Sequence, residues 1–120
     1  MCGRYHFSAE LLDEIRDLTE QKDWKLELGV LDRDIHPGDT APVITAAGDQ
    51  GGGLRACRQK WGYPGPGGKG LVFNARSESV FEKRMFRDSV SQRRAAVPVS
   101  WFYEWNKNKE KFTFTKEGSR

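Results

Sequence analysis

The second residue of the chain is a cysteine, in the N-terminal stretch "MCGRY". Loss of Met1 would make Cys2 the first residue and give it an α-amine and a thiol on adjacent carbon atoms. Such an aminothiol condenses with an aldehyde, because the amine forms an imine and the thiol then closes a five-membered thiazolidine ring. An α-amine has a pKa of about 8, so a fraction of it is nucleophilic at neutral pH. Alternatively, Cys2 is an incidental small residue whose only consequence is methionine removal.

A single carboxylate, Glu104, lies within the aromatic stretch "WFYEW". A carboxylate in apolar surroundings has to be paired or tuned, which suits a general acid or base. Because side chains alternate along a strand, we expect Phe102 and Glu104 on one face and the other three aromatic rings on the opposite face. In the alternative interpretation, Glu104 points outward from a half-exposed strand.

The stretch "FNARSES" offers an amide, a guanidinium, hydroxyls and a carboxylate within a few residues. Asn74 can donate and accept hydrogen bonds, and Arg76 can bind a phosphate or carboxylate through two parallel hydrogen bonds. The two side chains share a face if the run is extended. Arg4 is a further candidate phosphate ligand. The alternative is an ordinary connection between a strand and a helix.

Tryptophans close to arginines suit single-stranded nucleic acid, where bases stack on rings and guanidinium groups meet phosphates. Trp61 and Trp105 are candidates for this role, and core packing is the alternative for each. The two cysteines and two histidines match no zinc-binding spacing. We therefore predict no metal and no cofactor.

Length and composition predict one folded domain. The 120 residues include seven Phe and four Trp, and disordered chains are poor in aromatic residues. The formal net charge of +3 permits an anionic partner. No apolar run approaches the roughly 20 residues that span a bilayer, and no secretory signal precedes the first helical pattern. We expect a cytoplasmic monomer with no membrane contact and reduced cysteines.

Hydrophobic periodicity places the candidate residues on α and β elements. Ser8 followed by "AELLDEIRDL" predicts a helix with Ser8 as its N-cap. "APVITAAG" and "LRACRQKWGY" predict a hairpin with a flexible tip, and "PGPGGKG" predicts a linker or a surface loop. "SESVFEKRMFRDSV" predicts a second helix. "RAAVPVSWFYEW" and "KFTFT" predict a further pair of strands, of which the last would be an unpaired sheet edge.

Five stretches, "MCGRY", "HPGDTAPVI", "WGYPG", "NARSES" and "VPVSWFYEW", resemble in order the signatures of the SOS response-associated peptidase (SRAP) family of abasic-site processing proteins. The resemblance implies an α+β fold, mainly an antiparallel and barrel-like sheet with flanking helices. It also implies that residues 1–120 are a single SRAP-like domain that lacks its C-terminal part.

The resemblance implies a function for the candidate residues. The family removes its initiator methionine, and Cys2 would then form a thiazolidine crosslink with an abasic site in single-stranded DNA. Asn74 would orient the sugar or the terminus, Glu104 would handle protons, and Arg4 and Arg76 would hold flanking phosphates. A noncovalent module that binds single-stranded nucleic acid is the alternative.

The sequence departs from the family pattern in two places. Ser100 and Trp101 stand where the family often has an Asp-Gly pair, which changes the expected loop geometry. The family also carries a C-terminal histidine that works with the glutamate, and neither His6 nor His36 occupies that position. The resemblance therefore covers the N-terminal part of the family's domain.

Overall fold

A four-stranded antiparallel sheet joins the N-terminal residues to the aromatic stretch around Glu104. The computed structural model describes residues 2–19, 32–48 and 52–118. The predicted loss of Met1, the center of the hairpin tip at residues 49–51 and a continuation beyond the last residue lie outside the described residues.

The described residues form eight short strands and two α-helices. They are β1 (Tyr5–Phe7), α1 (Glu10–Thr19), β2 (Arg33–Ile35), β3 (Thr40–Ala46), β4 (Leu54–Lys60), β5 (Tyr63–Pro64), β6 (Leu71–Val72), α2 (Arg87–Gln92), β7 (Trp101–Trp105) and β8 (Lys111–Thr115).

Strand pairing is antiparallel in three separate sheets. The first sheet has the order β2-β1-β7-β8, and the strand pairs β3-β4 and β5-β6 form the other two. The predicted α+β class is confirmed. The term barrel-like is loose, because the strands in the described part of the chain form open sheets and no closed barrel.

The core lies on one face of the four-stranded sheet. Tyr5 and Phe7 alternate with His6 along β1, so both rings point to the face that α1 covers. Phe7, Ile15 and Ile35 are at most 1% exposed. Complete burial of a side chain of this size stabilises the fold by about 1.5–3 kcal/mol, so these three members of one core cluster hold α1 on the core.

Helix α1 is confirmed, but its start differs from the prediction. The buried Ser8 hydroxyl lies 2.6 Å from Ser100 Oγ, and the Ser8 N–H donates to the same oxygen at 3.0 Å. Asp32 Oδ1 instead accepts from the N–H of Ala9 at 3.0 Å. A carboxylate is favourable beside the free N–H groups of a helix start, and Asp32 reaches this one from a distant part of the chain.

The predicted hairpin is confirmed, and the Gly/Pro-rich stretch is an ordered turn. Residues Thr40–Ala46 pair with Leu54–Lys60 over seven positions. The stretch "PGPGGKG" joins β5 to β6, where Gly65 N donates to Gly70 O at 3.1 Å. The linker alternative is therefore wrong, because these residues close a two-stranded ribbon.

The second predicted helix is shorter and later than expected. Residues 77–86 form successive turns, and the helix covers only Arg87–Gln92. Phe81 is 67% exposed and Met85 is 39% exposed, so the two apolar side chains do not bury a stripe against the core. Short helical segments gain most of their stability from such burial, which explains why the helix does not extend over the whole segment.

Candidate functional site

The N-terminal segment, residues 2–4, continues the pairing of β1 with β7. Tyr5 lies opposite Phe102, and the Tyr103 N–H donates to Arg4 O at 3.1 Å. The same register, extended by two residues beyond Tyr5, sets Gly3 opposite Glu104. The structure thus brings the cysteine-bearing segment alongside the strand that carries the predicted acid.

Cys2 is half-buried and lines a cavity of about 570 Å³. Its Sγ lies 3.5 Å from Arg4 O, a normal distance for the weak hydrogen bond that a thiol donates. Tyr5, Trp61 and Phe102 are among the mostly apolar walls. The cavity therefore has room for a small organic group next to Cys2.

Glu104 lies on the cavity side of β7. Phe102 lines the cavity, and Glu104 follows it by two residues on the same face of the strand. Trp101 Nε1 donates to the Tyr103 hydroxyl at 2.7 Å, so these aromatic side chains lie together on the other face. The predicted alternation is confirmed. Glu104 is half-buried and does not itself line the cavity.

Arg4 is held by aromatic rings rather than by a carboxylate. Its Cζ lies 5.0 Å from the ring center of Trp105 and 6.0 Å from that of Tyr103. Among the residues that the structure describes, none forms an ion pair with Arg4 or a hydrogen bond with its buried Nε. Cation–π contacts fix the guanidinium and leave its charge available to an anion.

A hydrogen-bonded network behind Arg4 was missed by the sequence analysis. Asp34 Oδ1 lies 2.8 Å from His6 Nδ1 and accepts from the Tyr103 hydroxyl at 3.0 Å. Burial favours the neutral acid, but the hydrogen bonds from His6 and Tyr103 and the nearby Arg4 charge hold the pKa of Asp34 below its usual value. The His6 ring also stacks on Trp101 with 4.1 Å between ring centers. The network fixes β7 against β1 and β2.

Asn74 and Arg76 lie together in a second cavity of about 450 Å³. We predicted that the two side chains share a face, and both residues line the same cavity. The cavity is also lined by Ser79 and Lys83, which the sequence analysis did not select. The spacing of Arg76, Ser79 and Lys83 was the available signal, because residues three and four apart share a face of helical turns.

The residue that precedes Asn74 packs beside the N-terminal segment. A Cβ added at Gly3 would lie 3.8 Å from Phe73 Cε2, so Gly3 packs beside the residue that precedes Asn74. Phe73 also contacts Trp61, with 6.2 Å between ring centers. The two cavities have different lining residues, with Cys2 and Trp61 at the first and Asn74 and Arg76 at the second.

The described residues contain no group of three or more side chains arranged to hold a metal ion. Cys2 and Cys57 are both free thiols. Within the same described residues, no helix combines the length and the apolar character needed to cross a membrane.

Comparison with known proteins identifies the family. The model of the SOS response associated peptidase (SRAP) family matches residues 1–119. The chain belongs to the SRAP family. The resemblance of its motifs to SRAP proteins is thereby confirmed over nearly the whole chain.

Curated SRAP relatives are abasic site processing proteins. YoqW of Bacillus subtilis (strain 168) is 30% identical over 116 residues, which are 89% of this chain and 49% of the relative. YobE of the same organism is 29% identical over 116 residues, which are 89% of this chain and 50% of the relative. The chain thus spans about half the length of these SRAP relatives. No solved structure gives a significant match.

Proposed function

We propose that the protein processes abasic sites in single-stranded DNA by forming a covalent crosslink through Cys2. The proposal is carried by one observation. Cys2 lines a mostly apolar cavity and lies two residues before Arg4, whose carbonyl oxygen accepts a hydrogen bond from β7. The family match and the names of the curated relatives support the same class of substrate.

The covalent step is a condensation without oxidation or reduction. Hydrolysis of the peptide bond after Met1 consumes one water and frees the amine of Cys2. The amine attacks the sugar aldehyde, and loss of one water gives an imine. The Cys2 sulfur then adds to the imine carbon while the thiol proton passes to nitrogen, which closes the thiazolidine. The net reaction joins aminothiol and aldehyde and releases one water.

Glu104 and Asn74 have separate proposed roles. Glu104 removes a proton from the amine and returns it to the departing hydroxyl, because it lies on the cavity side of β7 opposite the N-terminal segment. Asn74 orients the sugar or the terminus through its amide, because the preceding Phe73 packs beside Gly3. Removal of either side chain should lower the rate of crosslinking at saturating DNA.

Two arginines and two tryptophans have proposed roles in holding the DNA strand. Arg4 and Arg76 bind flanking phosphates, and Trp105, which is 40% exposed and lies under Arg4, stacks a base. Trp61 contacts Tyr5, with 5.5 Å between ring centers, and its ring lines the cavity where the reacting sugar would enter.

The test compares two cysteines in the same chain. The mass of the purified protein should correspond to loss of Met1, and incubation with an abasic single strand should give an adduct that survives denaturation. Cys2→Ala and Cys2→Ser should abolish the adduct, since each removes the thiol. Cys57→Ala is the matched control, because Cys57 is also a half-buried free thiol. A retained methionine or an adduct unaffected by Cys2→Ala would contradict the proposal.

Noncovalent binding of single-stranded nucleic acid is the second candidate, and the exposed Trp105 beside Arg4 favours it. It requires salt-sensitive binding that Cys2→Ala leaves intact, with no adduct from the wild-type protein. A peptidase step at Met1, a single domain continued by further residues, a monomeric state and a cytoplasmic location remain predictions of the sequence.

A further inference from the structure

We propose that Ser79 and Lys83, together with Arg76, form a binding site for one backbone phosphate of a single-stranded nucleic acid, an inference that rests on the proposed function for the identity of its ligand. The site is the second cavity, which Asn74 also lines. Ser79 and Lys83 thereby become strand-binding residues. Ser79 ends the "NARSES" stretch, but neither residue has a role in the function proposed above.

Backbone hydrogen bonds place the three side chains on one side of the turn segment. Ser79 N donates to Arg76 O at 3.2 Å, and Lys83 N donates to Ser79 O at 3.0 Å. The side chains are therefore separated by one helical turn each, and all three line the cavity. These residues carry a guanidinium, a hydroxyl and an ammonium group, and all three groups can donate to phosphate oxygens.

An aromatic contact joins the turn segment to the β5-β6 ribbon at this cavity. Phe86 lines the cavity and meets the ring of Tyr63 edge-on, with 5.9 Å between ring centers. Tyr63 pairs with Val72, which also lines the cavity, and its hydroxyl donates to Ser89 Oγ at 2.8 Å. The turn segment and the β5-β6 ribbon are thus held together, so the cavity has a defined shape before any ligand binds.

The charges at this cavity are not neutralised within the described part of the chain. Arg76 and Lys83 are both exposed, and none of the described residues forms an ion pair with either of them. Glu78 and Glu82 lie in the same segment, but they do not line the cavity. A phosphodiester is typically bound by an arginine, which contacts two oxygens at once, and by a second positive charge such as a lysine ammonium group.

The size and position of the cavity favour a phosphate within a strand. Its volume of about 450 Å³ exceeds that of one phosphate and leaves room for an attached sugar. Asn74 lines the cavity, and the preceding Phe73 packs beside Gly3, so a strand that reacts at Cys2 would run close to this cavity. A free phosphate would need neither the extra volume nor this position.

The experiment measures the salt dependence of binding to an intact single-stranded oligonucleotide without an abasic site. Lys83→Gln should make the slope of log K against log salt less negative by about 0.7, the value for one lost phosphate contact on a single strand. Lys107→Gln is the matched control, because Lys107 is exposed in the turn between β7 and β8 and lines neither cavity. Ser79→Asp, which adds a negative charge inside the cavity, should weaken binding several-fold.

The outcomes separate this site from the covalent function. A changed slope for Lys83→Gln supports the site even when the wild-type protein forms no adduct with abasic DNA, a result that would remove the covalent function alone. Equal slopes for Lys83→Gln and Lys107→Gln, or unchanged binding by Ser79→Asp, would overturn the site. Binding of inorganic phosphate can be followed by NMR through the Ser79 amide signal. Tight phosphate binding, with an unchanged salt slope for DNA binding in Lys83→Gln, would also overturn the strand-binding site and would indicate a free-phosphate site.

Discussion

Tyr103 donates its main-chain N–H to the carbonyl oxygen of Arg4 at 3.1 Å, and its ring lies beside the Arg4 guanidinium. Cys2 precedes Arg4 by two residues, and Glu104 directly follows Tyr103. The hydrogen bond therefore holds the segment that carries the proposed nucleophile against the strand that carries the proposed proton-transfer group. Any substitution that loosens Tyr103 should therefore disturb the positions of both Cys2 and Glu104.

Loss of the Tyr103 hydroxyl should destabilise the protein without removing the ring beneath Arg4. Tyr103→Phe leaves the Trp101 Nε1–H without its acceptor and Asp34 without one of its donors. We expect the free energy of unfolding to fall by about 1–3 kcal/mol, measured by urea denaturation. Tyr63→Phe is the control, because that hydroxyl makes a single exposed hydrogen bond to Ser89 Oγ, and its effect should be smaller. Equal effects of the two substitutions would contradict the buried network.

Asp34 should contribute to acid denaturation. Burial works against its ionisation, but hydrogen bonds from His6 and Tyr103 and the Arg4 charge keep the pKa of Asp34 lowered in the native state. The unfolded chain, with an Asp pKa of about 3.9, then takes up the proton first, so stability is present above that pH and is lost as the pH falls through the lower native pKa.

Asp34→Asn should therefore be less stable than the wild-type protein near neutral pH and should show a flatter loss of stability below about pH 4. Urea denaturation at a series of pH values measures both effects. Asp13→Asn makes the same change at an exposed helix position, and its curve should follow that of the wild type. If Asp34→Asn lost stability at low pH as steeply as the wild-type protein, other carboxylates would govern acid unfolding.

Trp105 and Trp61 should respond differently to substitution. Trp105→Ala removes an exposed ring under Arg4, and we expect single-stranded DNA binding to weaken by about 1–3 kcal/mol with little change in stability. Trp61→Ala removes a ring that packs against the core cluster, so the unfolding midpoint should fall as well. Fluorescence anisotropy and thermal denaturation measure the two quantities. A large stability loss in Trp105→Ala would mean that its ring has a packing role.

The glycines of the β5-β6 turn should not tolerate substitution equally. A Cβ at Gly65 would collide with the carbonyl oxygen of Lys69, whereas a Cβ at Gly70 meets nothing within 4 Å. Gly70→Ala should cost about 1–2 kcal/mol for its positive φ of 69° alone. Gly65→Ala should lower the urea midpoint further, because the backbone of the turn has to move. Neutral behaviour of both variants would be the result expected of a flexible linker.

Local patterns predicted the elements but not every boundary. The alternation of Phe102 and Glu104 with their aromatic neighbours held, because it depends only on the pleat of one strand. The segment around Phe81 was predicted as helix from two apolar residues, and it forms turns because neither side chain finds a buried surface. Helix formation there depends on packing partners that the sequence does not display.

The sequence by itself determined that Cys2 can become an aminothiol and that Glu104 follows Phe102 on one strand face, since both follow from covalent order and local geometry. Only the tertiary structure decided that Asp34 accepts from Tyr103 across 69 positions and that Ser8 bonds Ser100 across 92 positions. These contacts follow from the strand order β2-β1-β7-β8. That order is set by which distant apolar faces bury one another, and no local pattern encodes it.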